Sequence, residues 1–302
     1  MRKNIFPTLV AMIICSGVIF SQQGVEVIMP TPISNVITEI VVLDKTTAWA
    51  AGNLGTVLRT TDAGLTWQTL RSGENLWINS IAAIDANRAW VTGPDEFLTS
   101  TTDGGKTWKD EKIGKIEFFS KVQFVDAQNG FVGGAAILTE GQAEGIFQLY
   151  ATTDGGKTWK ERNASLGFNP LEVEFTSVNT GFAIDKFEPI TGKDKLLRTT
   201  DGGKTWEAVK EMANMFIQSM TFPDTKTGYI VVEEPLNTKE NPTSNFRLFK
   251  TVDGGNSWKS TPFQDKPFTG EDKMPQYVYF KDSEHGWLIK SNQYVSPFGI
   301  EL

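Results

Sequence analysis

Short runs of apolar residues, each followed by a polar turn, recur along most of the chain. In one pattern an apolar run leads through a polar turn, usually containing Asp, to a small residue and an aromatic. Residues 40–49 are the first example. Apolar runs of this length, bounded by Gly, Asn and Asp, are typical of antiparallel strands. The six aromatics that follow these turns are Trp49, Trp90, Phe131, Phe182, Tyr229 and Trp287.

A second pattern follows each of the first five copies. Its commonest form is Thr-Thr-Asp-Gly-Gly-Lys-Thr-Trp, and its Asp recurs at intervals of 41 to 52 residues. Such an Asp can accept hydrogen bonds from backbone N–H groups downstream, Gly supplies a positive φ, and Trp buries a large apolar area. We therefore predict a structural role for Asp62, Gly64, Trp67, Asp103, Gly105, Trp108, Asp154, Gly156, Trp159, Asp201, Gly203, Trp206, Asp253, Gly255 and Trp258.

Each complete repeat divides into four short strands. In the third repeat we place them at residues 121–126, 130–134, 147–153 and 158–162. A period of this length with four strands per unit is typical of a propeller blade. The predicted fold is all-β, a β-propeller of four-stranded antiparallel blades. We expect six blades, and a seven-bladed or truncated ring is the alternative.

The sixth repeat is incomplete in the sequence. Its first two strands fall at residues 276–281 and 286–290, and a third is expected within residues 294–302. No Asp turn and no fourth strand follow. Because an open ring leaves unpaired strand edges, we expect residues 25–29 to supply the missing outer strand.

The N-terminus predicts export. A basic pair, Arg2 and Lys3, precedes an apolar stretch at residues 5–20, which is shorter than the roughly 20 residues of a membrane span. We expect a signal peptide at residues 1–21 and a single propeller domain at residues 22–302, without a membrane span in the mature chain. The expected location is extracellular, periplasmic or at the cell surface. Lipid anchoring at Cys15 is an alternative, although Ile14 stands where a lipoprotein signal has a small residue.

Composition argues against several classes of chemistry. The chain carries 36 acidic and 29 basic residues, a net charge of −7, which is a poor match for nucleic acid. His285 is the only histidine, and cleavage after residue 21 removes the only cysteine, so zinc and thiol chemistry are not expected. We expect no metal, no cofactor and no nucleic-acid partner, and we expect a monomer.

Loop lengths indicate where a partner binds. In a meander blade the connections between strands two and three lie on the face opposite the Asp turns. The long connections at residues 134–146, 185–195 and 233–245 share that face, and long ordered loops often carry binding sites. The candidate partner face is Trp77, Phe118, Phe168, Glu233 and Glu234. Three Phe residues at the blade links have an alternative role, in which they begin inner strands and pack between blades: Phe118, Phe119 and Phe216.

The repeated turn also carries a resemblance. Thr-Thr-Asp-Gly-Gly-Lys-Thr-Trp is the Asp-box, or bacterial neuraminidase repeat, and its pairing with Phe-x-Asp and Gly-Phe strands resembles the photosystem II stability and assembly factor family. The resemblance covers about residues 35–290. It implies a secreted or lumenal scaffold that binds a protein and catalyses nothing. The same turn occurs in sialidases, sortilin-like receptors and xyloglucanases, so the fold alone does not fix the function.

Two functions therefore stay open. The first is an exported, non-catalytic propeller that binds a protein or a cell-surface component. The second is an exo-acting, sialidase-like glycoside hydrolase or a carbohydrate-binding propeller, for which Glu233 and Glu234 are the best local carboxylate pair. A sialidase has an early Phe-Arg-Ile-Pro stretch, whereas this chain has Phe-Arg-Leu-Phe late, at residues 246–249. Two carboxyl groups about 5–10 Å apart in a cleft would favour the hydrolase. We assign no catalytic residue.

Overall fold

The structure is a computed structural model that describes residues 35–114, 116–136, 147–166, 170–185, 193–213, 215–236, 243–263, 274–280 and 282–291. Within those ranges, all regular elements are β-strands. No helix long and apolar enough to cross a membrane occurs among the described residues. Predictions for residues 1–21, Cys15, residues 25–29, Phe168 and residues 294–302 lie outside these ranges and stay predictions.

The strands form five four-stranded antiparallel sheets and one two-stranded sheet among the described residues. Within each sheet the strands follow chain order, so neighbours are joined by hairpins. Sheet 1 contains β1 (Ile37–Val42), β2 (Ala48–Gly52), β3 (Val57–Thr60) and β4 (Gln68–Arg71). Sheet 2 contains β5 (Ser80–Ala83), β6 (Ala89–Thr92), β7 (Leu98–Thr101) and β8 (Lys109–Asp110). Sheet 3 contains β9 (Ile116–Phe124), β10 (Gly130–Ala136), β11 (Phe147–Thr152) and β12 (Lys160–Leu166).

The later sheets repeat the same order. Sheet 4 contains β13 (Pro170–Phe175), β14 (Gly181–Asp185), β15 (Lys193–Thr199) and β16 (Glu207–Ala213). Sheet 5 contains β17 (Phe216–Thr221), β18 (Gly228–Leu236), β19 (Thr243–Thr251) and β20 (Lys259–Pro262). Sheet 6 contains β21 (Met274–Phe280) and β22 (Gly286–Ser291). The prediction of four-stranded antiparallel units is confirmed, and the number of blades stays a prediction.

The chain divides into two compact units. Unit 1 is residues 1–127 with 132–134, and unit 2 is residues 128–131 with 135–302. Unit 1 has a core cluster around Trp49, Ile78 and Val91, and unit 2 has one around Phe182, Ile217 and Ile230. The prediction of one domain over residues 22–302 stays a prediction.

Aromatic rings link successive sheets within unit 2. The ring that follows the polar turn in one sheet stacks on the Phe that precedes the turn in the next, with centroids 3.5 Å apart in all three cases. The stacked pairs are Phe131 with Phe175, Phe182 with Phe222, and Tyr229 with Phe280. In unit 1, Trp90 and Phe124 make the related contact at 4.2 Å. Trp90, Phe131, Phe182 and Tyr229 therefore make packing contacts between neighbouring sheets.

In sheets 4 to 6 the glycine that follows the polar turn has a steric reason. A Cβ on Gly181 would lie 2.7 Å from Cδ1 of Phe175 in the same sheet, closer than real Cβ contacts allow. Gly286 stands in the same relation to Phe280, with 2.5 Å to Cδ1. Glycine is therefore required where the Phe ring crosses the backbone of the second strand.

Candidate functional site

Each of the five Asp turns contains the same pattern of hydrogen bonds. In sheet 3, Thr152 Oγ1 and the Thr158 N–H donate to Asp154 Oδ1 at 2.7 and 2.9 Å, and Thr158 Oγ1 donates to Oδ2 at 2.6 Å. The Gly156 N–H donates to Thr152 Oγ1 at 2.9 Å. Equivalent bonds surround Asp62, Asp103, Asp201 and Asp253. Both oxygens of each carboxylate therefore accept hydrogen bonds inside their own turn.

These bonds hold the turn carboxylates in the ionised form. The Thr158 hydroxyl and backbone N–H lower the pKa of Asp154 from 3.8 to about 2. The pKa of Asp103 falls to about 2 through Thr107, and that of Asp253 through Ser257. A carboxylate that is ionised at neutral pH cannot donate a proton as a general acid. The hydrogen bonds give these residues a geometry that stabilises the turn, and their structural role stays a prediction.

The tryptophans that end the Asp turns pack against the stacked rings. Trp206 meets Phe175 edge-on at 6.0 Å, and Trp258 meets Phe222 edge-on at 6.3 Å. Trp108 packs on the core cluster of unit 1. These three indole rings thus lie against neighbouring aromatic or apolar side chains.

A second set of polar side chains joins neighbouring sheets, and the sequence alone did not identify it. The backbone N–H of Ile81 on β5 donates to Glu39 Oε2 at 2.8 Å, and that of Val122 on β9 donates to Ser80 Oγ at 3.2 Å. The first strand of a sheet has one edge without a ladder partner in its own sheet. A side chain from the preceding sheet therefore caps an N–H group on that edge.

The same caps occur in unit 2. The Met220 N–H donates to Glu172 Oε2 at 3.3 Å, the Phe222 N–H donates to Glu174 Oε2 at 3.3 Å, and the Val278 N–H donates to Ser219 Oγ at 3.4 Å. The recurrent cap residue lies five positions before the polar-turn residue of its own repeat, as in Glu39 before Asp44. That fixed spacing is the sequence signal that could have identified these residues.

A register shift adjoins the capping residue in sheets 1, 4 and 5. In sheet 1 the pairing jumps from Ile37 to Glu39, and in sheet 4 it jumps from Pro170 to Glu172. In sheet 5 it jumps from Ile217 to Ser219. A β-bulge adds one residue to a strand and redirects the side chain beside it. In sheet 3 the cap position holds Lys121, whose ammonium pairs with the second oxygen of Glu39.

The predicted carboxylate pair of unit 2 is not brought together. Glu233 accepts hydrogen bonds from Gln218 Nε2 at 2.8 Å and Ser244 Oγ at 2.7 Å. Glu234 is the next residue on β18, and consecutive side chains of a strand point to opposite faces. The two carboxyl groups therefore do not face a common cleft. Their assignment to the partner face stays a prediction.

The other partner-face candidates fall in unit 1 or outside the described residues. Trp77 and Phe118 are half-buried, and the neighbouring Phe119 is buried. Phe168 lies outside the described ranges. Among the link aromatics of unit 2, Phe216 is 39% exposed, although packing between blades was the alternative for it. Trp77, Phe118 and Phe216 are thus partly exposed where their strands or links begin.

An open groove beside the Asp turn of sheet 5 is lined by Thr180, Arg198, Thr200, Thr225, Lys226, Val252, Asp253 and Gly254. The Arg198 guanidinium is held by the Gly254 carbonyl at 2.8 Å and by Glu207 at 2.6 Å. Asp253 is the one carboxylate in this lining, and it is held in its turn. The groove therefore lacks the two carboxylates that glycoside hydrolysis needs.

The last candidates for site chemistry are a metal-binding cluster and the histidine. His285 is exposed, with Nδ1 2.9 Å from Asp282 Oδ1 within one turn. Among the residues that the structure describes, no three His, Cys, Asp or Glu side chains are grouped closely enough to hold a metal ion.

The middle of the chain matches a known protein family. Residues 113–261 match the sequence profile of the family described as "Photosynthesis system II assembly factor YCF48". The chain resembles the photosystem II assembly factors. The match spans sheets 3 to 5 almost completely. No protein of curated function matches the sequence significantly.

Solved structures give the fold class. "YCF48 bound to D1 peptide" is 16% identical over 87% of this chain and 93% of its own, with a TM-score of 0.55. YCF48 from Cyanidioschyzon merolae is 18% identical over 87% and 95%, with a TM-score of 0.54. A GH74 enzyme from Niastella koreensis is 13% identical over 85% of this chain but 44% of its own, with a TM-score of 0.57. At these identities the similarity shows the fold alone, a β-propeller.

Proposed function

We propose that the protein is a non-catalytic β-propeller scaffold that binds another protein. The observation that carries this proposal is the use of carboxylates as structural acceptors. Asp154 binds its own turn, and Glu39 and Glu172 cap backbone N–H groups of the next sheet. The match to the YCF48 family and the similarity to a YCF48 structure bound to a D1 peptide support a protein partner.

The partner surface in this proposal is the side of the sheets away from the Asp turns. Trp77 in unit 1 and Phe216 in unit 2 are partly exposed near that end of their own sheets, and the sequence predicts long connections there at residues 134–146, 185–195 and 233–245. Aromatic side chains are enriched at protein interfaces. We further propose that the protein is exported, on the basis of the basic and apolar residues 2–20, and that it is a monomer. Cell fractionation and light scattering of the purified protein test these two points.

A direct binding experiment tests the scaffold. The tagged protein is isolated from its own cells after cross-linking, the partner is identified by its sequence, and both are purified and recombined. A one-to-one complex that forms again from pure components is the expected result. Failure of the pure partner to bind, with both proteins folded, would refute the proposal.

Similarity to the GH74 enzyme favours glycoside hydrolysis as the second candidate. This chain spans less than half of that enzyme, so the activity of the whole enzyme does not carry over. The test is release of chromophore from a panel of chromogenic glycosides, including sialosides and xyloglucan oligosaccharides. We expect no turnover. Turnover that is lost in Glu233→Gln, or in another acidic variant that still folds, would reverse the order of the two candidates.

A further inference from the structure

Apolar side chains that are not fully buried gather around Gly93 in unit 1. Phe97 Cδ1 and Leu76 Cδ1 lie 3.3 and 3.7 Å from the position that a Cβ on Gly93 would take, and the Trp77 carbonyl lies 2.6 Å away. The group consists of Leu54, Leu76, Trp77, Phe97 and Phe118, and we call it the Gly93 patch.

Backbone hydrogen bonds place the two remaining members of the patch. The Gly55 N–H donates to the Leu76 carbonyl at 2.7 Å, so the tip of the β2–β3 turn lies beside the link to sheet 2. The Phe119 N–H donates to the Gly93 carbonyl at 3.1 Å, which brings the adjoining Phe118 to the same place. Trp77 belongs to neither repeated pattern, so the repeat packing does not account for it.

Two tight turns hold the patch in a defined shape. Leu54 and Gly55 have φ values of 54° and 65°, and Asp95 and Glu96 have 56° and 59°. Two successive positive φ values are typical of a type I′ hairpin turn, which favours Asn-Gly. Here the turns present a 45% exposed Leu54 and two exposed carboxylates instead. A surface that is already ordered loses little entropy when a partner binds.

Exposed carboxylates lie at one side of the patch. Asp95 and Glu96 form one turn tip, and the Glu96 N–H donates to the carbonyl of Glu117, whose side chain is also exposed. The nearby Arg71 is engaged: its Nε donates to Glu74 at 2.7 Å, and its guanidinium lies 5.0 Å from the Phe97 ring centroid. An apolar centre with a charged rim is the usual arrangement of a protein interface. The charge of this rim is negative.

We propose that the Gly93 patch binds an extended basic segment of a partner protein, in which one or two large apolar side chains are flanked by Lys or Arg. The apolar side chains contact Leu54 and Trp77, and the flanking cations face Asp95, Glu96 and Glu117. Complementary charge selects the partner and speeds association. This inference rests on the proposed scaffold function and adds the chemistry of the partner.

Three labelled synthetic peptides test the proposal by fluorescence anisotropy. The first is Gly-Lys-Lys-Phe-Leu-Lys-Lys-Gly, the second has Glu in place of each Lys, and the third has Ser-Ser in place of Phe-Leu. We expect only the first to bind, and we expect its affinity to fall as salt rises because the charges are exposed. Equal binding of the acidic peptide, or no binding of the first peptide, would overturn the inference.

Variants locate the binding surface. Leu54→Asn removes the apolar tip and suits the left-handed turn conformation, and Glu96→Lys reverses one rim charge. Each is expected to weaken binding of the first peptide by about tenfold. The matched controls are Leu65→Asn and Asp110→Lys, which alter exposed residues of the same unit outside the patch. Circular dichroism and thermal melting confirm that each variant is folded. Unchanged affinity in both folded patch variants contradicts the inference.

The outcome is separable from that of the proposed function. If the purified natural partner binds with equal affinity to wild type, Leu54→Asn and Glu96→Lys, the scaffold function stands and the Gly93 patch is not its site. If no protein partner binds at all, the scaffold function itself fails.

Discussion

Phe182 and Phe222 lie face to face with their ring centroids 3.5 Å apart and their planes 6° from parallel. Phe182 follows the polar turn of sheet 4, and Phe222 precedes the turn of sheet 5, so one stacked pair joins two sheets. The same relation joins Tyr229 to Phe280. The repeat therefore places an aromatic at the second strand of one unit and at the first strand of the next, because those two positions meet.

Removing one ring of this pair should destabilise unit 2. Phe222 and Phe182 are 3% and 0% exposed, so Phe222→Ala leaves a cavity and is expected to lower the free energy of unfolding by about 3–5 kcal/mol. Urea unfolding followed by tryptophan fluorescence measures the change. Phe216→Ala is the control because Phe216 is 39% exposed, and its effect should be well under half as large. Equal losses in the two variants would argue against the stacked joint.

Adding a methyl group at Gly181, beside the Phe175 ring, should destabilise the protein. Gly181→Ala brings a Cβ to 2.7 Å from Phe175 and is expected to lower the free energy of unfolding by about 1–3 kcal/mol through overpacking. Phe175→Leu in the same chain should recover part of that loss, since residues in contact are not additive. If the losses of unfolding free energy from Gly181→Ala and Phe175→Leu simply add in the double variant, the contact between the new Cβ and Phe175 is not the cause of the destabilisation.

Removing the Ser80 hydroxyl should show how much the cap on β9 contributes to stability. Ser80 is 1% exposed, and its Oγ accepts the Val122 N–H and lies 3.3 Å from the Val122 carbonyl. Ser80→Ala leaves the N–H without this acceptor, which is expected to lower the free energy of unfolding by about 1–3 kcal/mol. Ser120→Ala is the control, because the Ser120 hydroxyl donates to the Gly133 carbonyl at 3.3 Å and so does not have the capping role proposed for Ser80. A smaller loss for Ser80→Ala than for the control would contradict the capping role.

The Asp turns predict acid sensitivity with a defined sign. The pKa of Asp154 in the folded protein, about 2, lies below the ordinary value of 3.8, so the folded state binds its proton less readily than the unfolded state. The resulting stability is present above about pH 4 and is lost as the pH falls through about 2. Asp154→Asn should have a lower Tm than wild type at pH 7. The difference in Tm between the two proteins should be smaller at pH 2. A difference that does not shrink at pH 2 would show that the ionised carboxylate is not the source.

The local patterns predicted much of the fold. Strands expected at residues 130–134 and 147–153 correspond to β10 (Gly130–Ala136) and β11 (Phe147–Thr152). Strand periodicity, glycine-rich turns and short hairpins are local, so one repeat contains enough information to predict them. The antiparallel four-stranded unit follows from those features alone.

Contacts between repeats were not predictable in the same way. The cap from Glu39 to Ile81 joins residues 42 positions apart, and its existence depends on how two sheets are placed side by side. The positive φ of Leu54 was also missed, since leucine is not a turn residue by preference. At the candidate site, the sequence proposed Trp77 and Phe118, but it could not show that both adjoin Gly93.

Site-specific photo-cross-linking to the purified partner tests the proposed binding side most directly. A photoreactive residue is placed at Leu54 or Phe216 on the connection side, or at Leu65 or Val252 in the Asp turns; all four positions are exposed. Cross-links from one or both connection-side positions, with none from the Asp turns, are the predicted result. Cross-links confined to Leu65 and Val252 would contradict the proposed binding side.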